Sequence, residues 1–118
     1  MFKIMPGSEG DVVGIKASGT LVDKDYKELI PKVEKIIEEK GDIKVLLDLL
    51  DMEGFTAKAL MDDMNFCIKY KDKMKKIAIV AHSKWEKECA TLCKPFMPAE
   101  MKYFDIADEQ AAWDWLRE

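Results

Sequence analysis

The side chains with the greatest capacity for chemistry are His82, Ser83, Cys89 and Cys93, which follow one another within a single stretch. On a helix Cys89 and Cys93, four positions apart, share one face, with His82 a turn or more upstream, so the set approaches a soft-metal site. It is one ligand short. Both cysteines also fall on an apolar stripe with Trp85, Leu92 and Phe96, where a free Cys packs as a small hydrophobe. His82, the only histidine, is expected at the carboxyl end of a parallel strand, where active-site groups often lie. A Ser–His or Cys–His pair needs an orienting acid. Ser83 already has a structural use, since Ser83-Lys84-Trp85-Glu86 has the form of a capping box. The expectation is therefore no catalytic residue, no metal and no cofactor.

Asp48, Asp51, Glu53, Asp105 and Asp108 form a second group, expected near the carboxyl ends of two strands. Paired carboxylates can hold Mg²⁺ or act as acid and base, but neither a glycine-rich phosphate loop nor a nucleophile motif accompanies them. They read as a solvated rim, with Asp108 as a helix cap. Lys69, Lys71, Lys73, Lys75 and Lys76 form a basic run that suits a helix C-terminus, the alternative being a local anion or lipid-headgroup contact.

Methionine is abundant, with eight residues including Met52, Met61, Met64, Met97 and Met101. Such flexible, polarizable side chains fill irregular core gaps or adapt to varied ligands. Residues 52–55 and 96–98 place Met52, Phe55, Phe96 and Met97 in expected loops, where polar turn residues would be usual. Phe66, Tyr70 and Trp113 fall off the main apolar stripes and are expected at the surface. A lid, a membrane-dipping edge or a dimer interface would account for such a surface.

The elements that must carry these residues follow from periodicity. Segments 2–5 and 12–21 flank a cluster of turn formers and predict a hairpin, the second segment alternating with period two. Asp23 suits the cap of a short first turn and Pro31 the first position of a longer helix, with Val33, Ile36 and Ile37 as its stripe and Gly41 ending it. Residues 43–50 are aliphatic except for Lys44 and Asp48, the pattern of a strand covered on both faces. A second helix is predicted over 56–71 from Ala57, Leu60, Met61, Met64, Cys67 and Ile68, with Thr56 at its N-cap. Then come a buried strand over 76–81, a third helix from Lys84 stopped by Pro95 and Pro98, a short strand over 101–104 and a terminal helix whose stripe is Ala111, Ala112, Trp115 and Leu116. The order is β-β-α-β-α-β-α-β-α, and single helices between strands demand right-handed parallel crossovers, hence a mixed, mostly parallel sheet with packed helices.

A chain of 118 residues predicts one domain over 1–118 with room for one two-layer fold. The net charge of −4 repels nucleic acid and anionic membrane surfaces, so no nucleic-acid partner is expected and any membrane contact would be local and apolar. The sequence shows neither a signal-peptide pattern nor an apolar run long enough to span a bilayer, which predicts a cytoplasmic location. An odd count of three cysteines in predicted helices fits reduced thiols there.

The α/β order together with residues 14–26 (GIKASGTLVDKDY), the Pro31 helix, Leu46-Leu47-Asp48, Phe55 after a glycine, residues 77–80 (IAIV), Lys84-Trp85-Glu86, Tyr103-Phe104-Asp105 and Trp115-Leu116 resembles the SpoIIAA-like family of the STAS superfamily across nearly the whole chain. The resemblance implies a fold similar to anti-sigma-factor antagonists and, more loosely, to CRAL-TRIO lipid-exchange domains. It implies two functions: carriage of an apolar molecule, or phospho-regulated protein binding. The second demands a phosphorylatable Ser in an Asp-Ser-Ser/Thr-Gly setting after the third strand. Here residues 51–57 read DMEGFTA, with no serine and no glycine after Thr56, so no phosphorylation site is carried over. The expectation is a non-enzymatic carrier or sensor of an apolar small molecule or lipid, with transient membrane association and a homodimer as further options. The ligand is expected between the sheet and the second and third predicted helices, against Met52, Phe55, Leu60, Met64, Trp85, Cys89, Phe96 and Met97, with the first helix as a static cover. The alternative is a protein-interaction module of the anti-sigma-factor-antagonist type without its phosphorylatable Ser; an enzyme ranks third.

Overall fold

Alternating side chains at the start of the chain become the predicted hairpin: β1 (Phe2–Ile4) pairs antiparallel with β2 (Val12–Leu21), setting Phe2 opposite Ala17 and Ile4 opposite Ile15. The structure is a computed structural model that describes residues 1–81 and 100–118. After the hairpin come α1 (Asp23–Lys40), β3 (Ile43–Phe55), α2 (Ala57–Lys69), β4 (Met74–Val80), β5 (Glu100–Phe104), a 3₁₀ turn (Ile106–Asp108) and α3 (Glu109–Arg117). The third helix expected from Lys84 falls outside the described residues. The strands form one sheet in the order β1-β2-β3-β4-β5, parallel from β2 onwards.

Period two explains why the central stretches of β3 and β4, residues 45–50 apart from Asp48 and residues 77–80, are aliphatic. Val45, Leu49, Ile77 and Ile79 face one core beneath α1 and α2, while Leu46, Ala78 and Val80 face a second core closed by Ala112, Trp113 and Leu116 of α3. Both faces are covered, so alternating polar residues would each bury a polar group.

Four expectations change. First, α1 is one helix from Asp23. The Asp25 carboxylate accepts a 2.9 Å hydrogen bond from the Val22 N–H, and Pro31 lies inside the helix rather than at its start. Proline removes one intrahelical bond. The cost stays low because Pro31 and Lys27, whose carbonyl loses its partner, are both exposed and open to water. Second, residues 52–55 are strand, not loop. The length of β2 offers backbone partners along the whole of β3, so Gly19 pairs with Met52 and Leu21 with Phe55, two register shifts absorbing the extra residues.

Third, Trp113 is buried at 8% exposure, and the inner stripe of α3 is Ala112, Trp113 and Leu116, with Trp115 half-buried against Phe104. The cause lies in β2, where a Cβ on Gly14 would stand 2.4 Å from the Trp113 ring and its absence leaves a slot for the indole. Fourth, Phe66 and Tyr70 are half-buried and pack on the first core, where their rings meet at 4.9 Å and the Tyr70 hydroxyl reaches Glu34 of α1.

Candidate functional site

The first core does not close. A cavity of about 140 Å³ remains between the sheet and the helices α1 and α2. Its floor comes from alternate strand residues, among them Ile15 of β2, Val45, Leu47 and Leu49 of β3, and Ile77 and Ile79 of β4. Met52 and Phe55, at the end of the extended β3, also line it. The roof is Tyr26, Leu29, Ile30 and Val33 from α1 with Leu60, Phe66 and Cys67 from α2. Asp63 is the one charged residue among the described lining residues.

Of the residues singled out by sequence, the cavity brings together Met52, Phe55 and Leu60. Met64 is half-buried on α2 and lies outside the lining. Trp85, Cys89, Phe96 and Met97 lie outside the described residues, as do His82, Ser83 and Cys93. Sequence reasoning makes the first helix a static cover and misses that α1 supplies four lining residues. The signal is present in Tyr26 and Leu29, but they precede Pro31 and have no helical phase in a helix that begins at that proline.

Polar groups bind α1 to α2 where their surfaces meet. Glu34 of α1 accepts hydrogen bonds from the Tyr70 hydroxyl and, at 3.3 Å, from the Lys69 ammonium. The Tyr70 bond holds the Glu34 carboxyl below the usual carboxylate range, and the same bond pushes the Tyr70 hydroxyl up. The Thr56 hydroxyl accepts from the Ala59 N–H at 3.2 Å, the predicted cap.

The acidic residues have different surroundings. Asp48 is buried at 4% exposure and accepts from the Leu50 N–H at 3.1 Å, while Asp51 pairs with Lys16 at 3.1 Å near the surface. Asp108 stands at the N-cap of α3 without a side-chain bond. Among the described residues no group of three His, Cys, Asp or Glu side chains is placed to hold a metal ion, and no helix is long and apolar enough to cross a membrane.

This five-stranded mixed sheet with helices on both faces defines a class of small α/β folds. A family profile described as SpoIIAA-like matches residues 12–117, and the chain belongs to that family. Among solved structures, an uncharacterized protein with a SpoIIAA-like fold from Shewanella loihica PV-4 superposes with a TM-score of 0.80 at 27% identity, over 98% of this chain and 92% of that one. The anti-sigma factor antagonist SpoIIAA in its unphosphorylated form superposes with a TM-score of 0.67 at 12% identity, over 99% of this chain and 98% of that one, a likeness of fold. No curated protein sequence matches the chain.

Proposed function

We propose that this chain is a non-enzymatic, single-domain binding protein that takes up a small apolar molecule in the cavity between the sheet and α1 and α2. The observation that carries this reading is the cavity itself, about 140 Å³ of space inside a core that otherwise packs to near-zero exposure. Protein interiors normally leave few voids larger than a water molecule, and an apolar void of this size forfeits several kcal/mol of packing. An apolar cavity of roughly 150 Å³ stays dry and accommodates benzene, which sets the scale of what fits without rearrangement. A longer acyl chain needs α2 to move outward or its tail to leave the cavity. Native mass spectrometry on protein prepared without detergent, followed by titration with benzene, tests the reading. A retained apolar mass or saturable benzene binding is expected; an empty protein that binds no apolar probe would refute it.

The second reading, a protein-interaction module, draws on the likeness to the anti-sigma factor antagonist and on Met61 and Ile68, which α2 leaves 58% and 47% exposed. Regulation through Thr56 gains no support, because its hydroxyl already caps α2. Recovery of a stable hetero-complex lost on Met61→Ser together with Ile68→Ser would favour this reading over the first.

A further inference from the structure

Where α1 begins, its first residue Asp23 meets Asp62 of α2, and the two carboxyl groups lie within hydrogen-bonding reach of each other. Asp23 Oδ1 and Asp62 Oδ2 are both shielded from solvent, and among the described residues no donor reaches either of them. Two facing oxygens without a donor are repulsive when both groups are ionised and attractive when they share one proton. From this geometry we infer that Asp23 and Asp62 form a proton-dependent clasp that holds α2 against α1, so that loss of the shared proton loosens the roof of the cavity.

Among the described residues, the further charged groups that act on this pair are two lysines. Lys27 on α1 pairs with Asp23 at 2.9 Å, and Lys58 on α2 stands 4.0 Å from Asp62. Each occupies the outer oxygen of its partner and leaves the facing oxygens alone. Asp62 is held above the usual carboxylate range, first by its bond to Asp23 and then by burial. Asp23 is held below it by the same bond and by Lys27. The signs define a window. The Asp62 contribution is present below its ordinary carboxylate range and is lost as pH rises through the raised value. That of Asp23 is present above its ordinary range and is lost as pH falls through the depressed value. Between the two the clasp holds one proton, titrating as a pair. The neighbouring residues Tyr26 and Asp63 line the cavity, so the clasp sits at its roof.

Control of entry by the clasp rests on the apolar-binding reading, but the clasp itself is measurable without ligand. On the full chain, ¹³C carboxyl NMR should show one proton titrating at both Asp23 and Asp62 with a midpoint above the ordinary aspartate range. Amide exchange of α2, corrected for intrinsic rates, should accelerate through the same midpoint, by up to about tenfold for each pKa unit separating closed and open forms. Asp62→Asn keeps an N–H donor facing Asp23 and should leave α2 slow and insensitive to pH. Ordinary, independent titration of the two groups, or an unchanged pH profile in Asp62→Asn, would overturn the clasp. Benzene exchange should follow the same midpoint. Failure of benzene to bind at any pH, with α2 exchange still tracking the proton, would support the clasp while refuting the apolar-binding reading.

Discussion

At Gly14 one missing side chain decides where a whole helix docks. The Trp113 ring fills the space a Cβ would take, so Gly14→Ala should lower stability by about 1–3 kcal/mol, the usual cost of overpacking. In a Trp113→Ala background the same substitution should cost far less, because contacting residues are not additive. Chemical denaturation of the two single variants and the double variant measures this; equal costs in both backgrounds would contradict the account. Thr56→Ala should lose about 1 kcal/mol through its cap alone. The cap was readable in sequence because Thr56 directly precedes a helical apolar pattern. The burial of Trp113 was not, because it depends on a glycine about a hundred positions away that no local pattern connects to it.

The helices differ in how firmly they are held. α1 buries Tyr26, Val33 and Ile37, whereas α2 buries only Ala59 and roofs the cavity with half-buried side chains. Few buried apolar contacts mean a lower free energy of local opening. Amides of α2 should therefore exchange before those of α1, β3 and β4 under native conditions. Uniform protection across these elements would show that the cavity does not weaken its roof. α3 is anchored by Leu116 at zero exposure and by Trp113, so a chain ending at residue 110 should lose several kcal/mol or fail to fold cooperatively. Element types and order among the described residues followed from period two in the strands and from the helical stripes. Boundaries failed where tertiary pairing overrode local signals: β3 ran through Gly54 because β2 offered partners, and α1 ran through Pro31 because its outer face is solvated.

The two sheet faces set up an internal comparison at the scale of the molecule. Leu46, Val80 and Leu116 close the α3 face to near-zero exposure, while the α1 and α2 face keeps a cavity of about 140 Å³. That asymmetry was only half readable. Met52 and Phe55 stand out in sequence by apolar character in an expected loop and Leu60 by its place on a helical stripe, but the involvement of α1 and the volume depend on how side chains fail to fill space, which no sequence pattern encodes. The most direct measurement is methyl NMR during titration of the full chain with benzene. Methyl groups of Leu49, Met52, Leu60 and Ile79 should shift saturably while those of Val12, Leu46, Val80 and Leu116 stay fixed. Shifts in neither set, or equal shifts in both, would contradict a binding cavity beneath α1 and α2.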